Sequence, residues 1–421
     1  MKYFESEYFT YKDNKLYCEQ VPLSSITEKF GTPAYIYSKK YFVDRYKETE
    51  NAFKSIKHSI FFACKSNFNL SVIKTFIDLG SGVDVNSEGE LYRAIKAGAK
   101  PERLIMSGVG KTAQEIKSAL ENNLLMLKAE SGQEIILINE IAGSLNKTAK
   151  VAIRVNPNVD AKTHPYISTG LAENKFGVDV SSAMELYRMQ KDLKNILFTG
   201  IDMHIGSQIN TLEPFIEATE RLAEIFMQLK SEGIKLNHID LGGGIGAVYN
   251  NETTFTVQEY AGALMPVIKK LDCEVFLEPG RYFTANSGVL AVKVLYTKKT
   301  IKKNFIITDG AMNDLIRPSL YKAHHHIQPI TISDGRADII ADVVGPVCES
   351  GDFIAKNITI SECRQNDYLS VMSGGAYSMV MASNYNARRR PAEILVDGAD
   401  FKLIRGRESF DHMLYDEGNL L

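Results

Sequence analysis

The sequence lacks tryptophan and carries almost no net charge. Among its 421 residues, Lys and Arg number 49 and Asp and Glu number 51, which gives a net charge of −2. A chain of this composition has no broad basic surface, and this argues against partners such as nucleic acid or an anionic membrane. An anionic ligand must therefore be held by local groups.

Cysteines are few, and no long apolar run is present. The five cysteines are widely spaced and form no Cys-x-x-Cys pair: Cys18, Cys64, Cys273, Cys348 and Cys363. This pattern argues against a disulfide framework and against a zinc site, so we expect no metal. No signal peptide is recognisable at the N-terminus, and no run reaches the length of a membrane span. These features predict a cytoplasmic protein.

A regular alternation of short apolar runs and amphipathic stretches extends from residue 60 to residue 280. The runs are rich in Val, Ile and Leu, as is typical of parallel strands buried on both faces. Eight runs are present: 60–65, 83–87, 104–108, 124–130, 151–157, 198–206, 238–244 and 275–280. Helical patterns lie at 40–56, 69–79, 88–97, 112–122, 131–142, 181–191, 214–231 and 257–270, with a predicted capping box at Ser131 and Glu134.

Eight strands alternating with eight helices predict an α/β fold containing a (β/α)8 TIM barrel. A doubly wound sheet is the alternative, and the count of eight favours the barrel. After residue 286 short β-branched runs follow one another: 289–301, 303–308, 337–344, 367–373, 393–397 and 400–405. The first 35 residues are also strand-like. We therefore predict a barrel domain at 36–285 and a β-rich domain formed by 1–35 and 286–421.

Polar residues cluster where the predicted barrel strands end, which is the active-site face of such barrels. They are Lys65, Asp84, Ser87, Arg154, Asn156, His204, Ser207, Gly242–Gly244, Glu278 and Arg281. Each position is weak evidence when taken alone. Together they predict one concave site.

Three of these positions indicate a specific chemistry. Lys65 ends a buried apolar run, and a desolvated amine suits a Schiff-base lysine, although a lysine extending to the surface is the alternative. The glycines of 242–246 let backbone N–H groups approach a phosphate, although a flexible turn fits equally. Glu278 lies in Glu-Pro-Gly-Arg; a carboxylate beside a pyridine nitrogen keeps that nitrogen protonated, and a surface turn is the alternative.

Histidines and one cysteine complete the candidates. His204 could stack on a flat cofactor, although a lone strand histidine is more often a core residue. For His324–His326 we favour a polar loop over a metal site, because adjacent histidines point in different directions. Cys348 lies in the glycine- and acid-rich segment 345–352, which predicts a functional loop.

The ordered motifs ACKSN, DVNSEGEL, HIGSQ, GGGIG, EPGR, GPVCESGD and GAY resemble those of alanine-racemase-like, fold-type III pyridoxal-phosphate decarboxylases. Segments 312–321, 164–170 and 383–388 narrow the resemblance to the diaminopimelate decarboxylase family, over roughly residues 20–415. The resemblance implies a pyridoxal 5'-phosphate enzyme that converts meso-2,6-diaminopimelate to L-lysine and CO2, the last step of lysine biosynthesis.

The resemblance also assigns roles, residue by residue. Lys65 would carry the cofactor, His204 would stack on its ring, and Glu278 would bind the pyridine nitrogen. The other cofactor-binding positions would be Asp84, Ser207, Gly243, Gly244, Gly280, Arg281 and Tyr377. Substrate would be bound by Arg281, Arg317, Tyr321, Glu349 and Tyr377. Cys348 would donate a proton to the site of the other subunit, which implies a homodimer with shared active sites.

The sequence departs from the family pattern at four positions: Cys64, Ser66, Asn86 and Glu88. Lys65, Asp84, Ser87 and Glu90 are retained, so the chemistry is expected to be unchanged. A decarboxylase of ornithine, arginine or lysine is the main alternative. Those substrates lack a distal carboxylate, so Arg317 and Tyr321 favour diaminopimelate. A racemase, a non-catalytic cofactor carrier and a lysine aldolase fit the motifs less well.

Overall fold

The computed structural model describes residues 3–160 and 174–417, which form two compact units. The barrel unit comprises Asp44–Ala247 and Thr253–Tyr282. The β-rich unit comprises Met1–Val43, Val248–Glu252 and Phe283–Leu421. The inclusion of Val248–Glu252 in the β-rich unit is not apparent from the sequence. Within the described ranges, none of the helices is both long and apolar enough to cross a bilayer.

The β-rich unit begins with three short strands and a helix: β1 (Phe9–Lys12), β2 (Lys15–Cys18), β3 (Val21–Pro22) and α1 (Leu23–Phe30). The strands β1, β2 and β3 form an antiparallel meander. The helix α1 was not predicted, because the strand-like composition of the first 35 residues hides its amphipathic pattern. Strand β4 (Ala34–Ser38) follows, and then helix α2 (Lys39–Phe53) leads towards the barrel strands.

Eight parallel strands form the closed barrel, in chain order. They are β5 (His58–Ala63), β6 (Gly82–Val85), β7 (Leu104–Met106), β8 (Met126–Ala129), β9 (Ala149–Arg154), β10 (Ile196–Asp202), β11 (His238–Asp240) and β12 (Glu274–Leu277). Strand β12 pairs with β5, which closes the barrel. All eight strands lie where the apolar runs predicted them, so the (β/α)8 prediction is confirmed.

Helices alternate with these strands. They are α3 (Leu70–Asp78), α4 (Glu88–Lys96), α5 (Ala113–Glu121), α6 (Gly132–Ser144), α7 (Val180–Arg188), α8 (Glu213–Ser231) and α9 (Val257–Ile268), followed by the short α10 (Arg281–Thr284). Several start at a residue whose side chain caps the first turn. Thr112 and Thr256 form complete capping boxes with Glu115 and Glu259.

The capping box predicted at Ser131 is only half correct. The Ser131 side chain does accept the backbone N–H of Glu134. The Glu134 carboxylate, however, accepts the N–H of Glu130 at 2.8 Å and pairs with Lys111 at 2.7 Å. The buried Lys111 ammonium draws this carboxylate away from the reciprocal contact that the sequence pattern predicts.

The rest of the β-rich unit is a mixed sheet. Its elements are β13 (Gly288–Lys299), β14 (Asn304–Thr308), α11 (Arg317–Tyr321), β15 (Ile327–Pro329), β16 (Asp338–Val344), β17 (Phe353–Ser361), β18 (Tyr368–Val371), β19 (Ala392–Asp397), β20 (Asp400–Arg405) and α12 (Phe410–Met413). The main order is β17-β16-β14-β13-β4-β19-β20, and β18 pairs with both β13 and β15. Strand β13 is central because its 12 residues pair with three other strands.

Two strands of this sheet were missed by the sequence analysis. Strand β17 contains the polar pair Lys356 and Asn357, and Asn357 adopts a positive φ of 53° where the pairing with β16 is irregular. That irregularity interrupts the alternation of apolar and polar residues on which strand prediction depends. Strand β15 is three residues long, too short to give a periodic signal.

Candidate active site

Lys65 lies just after β5, in a short 3-10 turn (Cys64–Ser66) at the carboxyl end of the barrel. Its Nζ is 3.8 Å from Oδ2 of Asp84, which is fully buried at the end of β6. The sequence predicted a desolvated amine, but 39% of the Lys65 side chain is exposed. The Lys65 side chain is therefore partly exposed, and its amine lies within ion-pair distance of the buried carboxylate at the end of β6.

Cys64, one of the departures from the family pattern, is fully buried. Burial raises the pKa of its thiol, and the nearby Glu90 carboxylate adds to this effect. Glu90 accepts the backbone N–H of Asn86 at 2.7 Å. Burial raises the pKa of Glu90, and the nearby Asp84 adds to this effect. Through the Asn86 N–H, the Glu90 carboxylate helps to fix the segment that carries Asp84.

A buried ion cluster lies on the neighbouring strand ends. The Lys128 ammonium, on β8, is 2.7 Å from Oδ1 of Asp202 and 2.6 Å from Oδ2 of Asp240. It also contacts Oε1 of Glu278. All four side chains are nearly inaccessible to solvent. We call Lys128, Asp202, Asp240 and Glu278 the Lys128 cluster.

The Lys128 cluster holds three carboxylates against one ammonium. Burial raises the pKa of Asp240 to about 6, although Lys128 opposes this shift. Burial, followed by repulsion from Asp240 and Asp84, raises the pKa of Glu278 well above its ordinary value. In the described ranges, the side chains close enough together to hold a metal ion are Asp202, Asp240 and Glu278. The Lys128 ammonium already contacts all three carboxylates.

The glycine loop is shaped by its close contact with Glu278. Gly242 has a φ of +65° and donates its N–H to Asp240 at 2.8 Å. A Cβ at Gly243 would lie 2.3 Å from the Glu278 carbonyl oxygen. Only glycine therefore fits at this position. The N–H groups of Gly242 and Gly243 already donate within the protein, to Asp240 and His204.

His204 follows β10 and has a defined tautomer. Its Nδ1 accepts the N–H of Gly243 at 3.2 Å, so the proton of the neutral ring is on Nε2. Burial lowers the pKa of His204 well below its ordinary value, and the cations Arg154, Lys65 and Lys128 lower it further. A neutral, flat ring is suited to stacking on an aromatic cofactor.

Two further predicted residues meet beside this loop. Arg281 is the first residue of α10, and its Nε donates to Ser207 Oγ at 3.0 Å. Gly280 precedes it, and a Cβ there would lie 3.2 Å from the Cβ of Ala63. The structure therefore places at the carboxyl ends of the strands the nine barrel positions that were predicted to bind the cofactor: Lys65, Asp84, His204, Ser207, Gly243, Gly244, Glu278, Gly280 and Arg281.

In the β-rich unit, three motif segments that are distant in sequence converge. Segment 312–321 contacts 345–352 through the Ser319 hydroxyl, which donates to the Gly351 carbonyl at 2.5 Å. Segment 345–352 contacts 383–388 through the Cys348 N–H, which donates to Asn386 Oδ1 at 2.8 Å. The N–H of Ser383 donates to the Asn313 carbonyl at 2.9 Å and closes the triangle. We call these three segments the three-motif cluster.

The predicted substrate residues occupy different positions within the β-rich unit. Arg317 is buried at the start of α11, and the half-buried Tyr321 ends that helix. Cys348 and Glu349 are exposed in the loop between β16 and β17, and Glu349 accepts the Tyr385 hydroxyl at 3.3 Å. Tyr377 is half-buried and has a φ of +51°. Motif 164–170 lies outside the described residues.

Comparison with known proteins identifies similar sequences among pyridoxal-dependent decarboxylases. The pyridoxal-binding domain of the pyridoxal-dependent decarboxylase family matches residues 39–285. A diaminopimelate decarboxylase of Haemophilus influenzae is 47% identical over 407 residues, which are 96% of this chain and 98% of the relative. One of Aquifex aeolicus is 43% identical over 97% of this chain and 96% of its own length.

Comparison with solved structures also identifies diaminopimelate decarboxylases. The diaminopimelate decarboxylase of Helicobacter pylori, complexed with L-lysine, is 42% identical and has a TM-score of 0.92, covering 95% of this chain and 100% of that chain. This chain belongs to the diaminopimelate decarboxylase family. Its barrel and mixed sheet have the alanine-racemase-like architecture predicted from the sequence, and the predicted enzyme class, a carboxy-lyase, is confirmed.

Sequence reasoning about this family member missed Lys128, Asp202 and Asp240. A signal for them was present, because each is a charged residue inside or at the end of an apolar run. A lysine on one buried strand requires carboxylates nearby, but the sequence does not show which acidic residues face it. Tyr249, described below, gave no signal.

Lys128→Met should lower the unfolding midpoint in urea, because it leaves three buried carboxylates without their shared cation; breaking a buried ion pair costs about 3–5 kcal/mol. The loss should be larger at pH 8 than at pH 5. The pKa values of Asp240 (about 6) and Glu278 are raised, so protonation of these groups favours the folded state at low pH. This favourable contribution to the free energy of unfolding is lost as pH rises through those pKa values, and the variant must then bury charged carboxylates without a cation.

Lys74→Met is the matched control, since Lys74 makes an exposed ion pair with Asp78 at 2.8 Å on the same unit. It should change the midpoint little at either pH. Equal losses for Lys128→Met at pH 5 and pH 8 would contradict the electrostatic account of the Lys128 cluster.

Proposed function

We propose that this chain decarboxylates diaminopimelate to lysine and CO2, the reaction for which its relatives are named, with pyridoxal 5'-phosphate held at the carboxyl end of the barrel. The observation that carries the proposal is the convergence of the three-motif cluster, because two of its segments, 312–321 and 383–388, narrow the resemblance from decarboxylases of this fold to diaminopimelate decarboxylases. A decarboxylase of ornithine, arginine or lysine has no use for a buried arginine at the position of Arg317.

The barrel residues fit the cofactor by their chemistry. Lys65 offers an accessible amine, and the glycine loop with Ser207 and Arg281 offers donors for a phosphate. The neutral ring of His204 would lie against the cofactor ring, and the Glu278 carboxylate would accept a hydrogen bond from the protonated pyridine nitrogen and so keep it protonated. When bound, the cofactor withdraws the electron pair that loss of CO2 leaves behind.

The protein's own side chains bind substrate and deliver a proton. Asp84 orients the Lys65 amine at 3.8 Å. Arg317 binds the distal carboxylate of diaminopimelate, and Glu349 binds its distal ammonium. Tyr321 and Tyr377 contact the substrate, and the exposed Cys348 residue donates a proton from its thiol to the reacting carbon.

We further propose a homodimer in which Cys348 and Glu349 serve the barrel of the partner subunit. Both residues lie on an exposed loop that Asp352 holds through the N–H groups of Met312 and Val347, each at 2.7 Å. An exposed but ordered loop bearing a thiol and a carboxylate suits such a contribution. The cytoplasmic location stays a prediction, and the free cysteines of the described chain are compatible with a reducing compartment.

Purified protein should be yellow, and borohydride should fix the cofactor covalently to Lys65. Peptide mass mapping would locate the tag, and Lys65→Arg, which keeps the charge, should remain untagged. A colourless protein contradicts the cofactor assignment. A tag on Lys128, a buried lysine near the strand ends, would contradict the choice of residue.

Arg317→Ala should reduce kcat/KM for diaminopimelate about tenfold or more, since a lost charge-assisted contact costs roughly 1.5–3 kcal/mol. Cofactor affinity, measured by absorbance titration, should be unchanged. Arg336→Ala removes an arginine of the same unit that is paired with Asp367, and it should leave kcat/KM unaltered. An unchanged kcat/KM in Arg317→Ala would make its role in binding the distal carboxylate untenable.

Mixing inactive Lys65→Ala and Cys348→Ala proteins under conditions of subunit exchange should restore about a quarter of wild-type activity, since half of the dimers become mixed and each has one intact site. CO2 release is the measurement. Mixing Lys65→Ala with Glu278→Gln is the control, and it should restore nothing because both residues belong to the same barrel. Absence of recovery in the first mixture, despite demonstrated exchange, refutes the shared site.

A further inference from the structure

The three consecutive histidines have three different environments. His324 is exposed and His326 is half-buried. His325 is only 1% exposed, although it lies in the loop that the sequence predicted. A buried histidine in a polar loop requires hydrogen-bond partners, and those partners define what it does.

Both ring nitrogens of His325 make hydrogen bonds within the β-rich unit. Nδ1 lies 2.9 Å from the carbonyl oxygen of Met372, which can only accept. Nε2 lies 3.3 Å from Nη1 of Arg317, which can only donate. The ring must therefore be the neutral tautomer with its proton on Nδ1 and its lone pair directed at the guanidinium.

A second contact constrains the same guanidinium. The Arg317 guanidinium carbon lies 4.5 Å from the ring centroid of Tyr249, in a cation–π arrangement. The Tyr249 ring in turn meets the His325 ring edge to face, with centroids 5.7 Å apart and an interplanar angle of 80°. Tyr249 restrains the guanidinium from its face, and His325 restrains it at one nitrogen.

The segment that carries Tyr249 is itself anchored in the β-rich unit. The Asn286 side chain donates to the Val248 carbonyl at 2.7 Å and to the Ser373 hydroxyl at 2.9 Å. His325 is held by the β15–β18 pairing, since the Met372 N–H donates to the His326 carbonyl at 2.8 Å. Both restraints on Arg317 are therefore built on ordered backbone.

We propose that His325 is a positioning residue that orients Arg317 for the distal carboxylate of the substrate. The inference rests on the proposed role of Arg317. A neutral acceptor suits this task because it restrains the guanidinium without neutralising its charge. A carboxylate partner would compete with the substrate carboxylate for the same cation. The two hydrogen bonds of the ring also account for its nitrogens without a metal ion.

The test compares two ligands that differ in one carboxylate. L-lysine keeps the carboxylate that decarboxylation leaves, and cadaverine is the same diamine chain without it. Inhibition constants of both are measured on the holoenzyme. His325→Phe keeps a ring against Tyr249 but removes the acceptor, and it should reduce the preference for lysine over cadaverine about tenfold. KM for diaminopimelate should rise by a similar factor, and kcat should change much less.

Two variants serve as controls. His325→Gln can accept from Arg317 through its amide oxygen and donate to Met372, so it should retain most of the lysine preference. His326→Phe, at the half-buried neighbour, should retain all of it. In an Arg317→Ala background, His325→Phe should have no further effect on the preference, because His325 acts through Arg317.

The outcomes separate this inference from the proposed function. If Arg317→Ala leaves the lysine preference unchanged, the role of Arg317 fails. If Arg317→Ala abolishes it and His325→Phe does not alter it, the role of His325 is wrong. Should His325→Phe fail to fold, ¹⁵N NMR of histidine-labelled wild-type protein decides, with His325→Gln identifying the signal. A proton on Nδ1 supports the inference, and a proton on Nε2 overturns it.

Discussion

The Lys128 ammonium is the interaction on which the barrel end of the site depends. It is the cation that contacts three carboxylates from the ends of β10, β11 and β12, all removed from solvent. Buried carboxylates without a cation are strongly unfavourable, and the shared ammonium lets the strand ends that carry them lie together. Through Asp240 and Glu278 the cluster also fixes the glycine loop, because Gly242 donates to Asp240 and Gly243 packs on the Glu278 backbone.

Each of the two units restrains a cationic side chain that is proposed to bind a ligand, Lys65 in the barrel unit and Arg317 in the β-rich unit. Each holds a cation in place with buried partners and leaves it charged. In the barrel unit Asp84 holds Lys65, whose amine remains accessible. In the β-rich unit a neutral histidine and a tyrosine face hold Arg317. Restraint by fixed groups means that little side-chain entropy remains to be lost when a ligand binds.

Prediction from sequence succeeded for features that show a hydrophobic period or a motif. It failed for features that depend on a contact between side chains distant in sequence or on a local irregularity of the backbone. The eight barrel strands were predicted because each is an apolar run of strand length, and the capping residue Ser131 was identified. The reciprocal half of that cap was wrong because Lys111 attracts Glu134. Strand β17 was missed because Asn357 interrupts its pattern. His325 was assigned to a loop, but its burial and its partner Arg317 have no sequence signal.

The amino-acid sequence by itself determined the barrel with its β-rich companion, the decarboxylase family, and the residues that end each strand. These follow from hydrophobic period and from motif order, which are local properties of the chain. Only the tertiary structure decided that Lys128 faces Asp202, Asp240 and Glu278, that Glu90 holds the Asn86 N–H, and that His325 and Tyr249 restrain Arg317. Those pairings join residues far apart in sequence, and which side chains meet across strands depends on register and on the closure of the barrel and sheet.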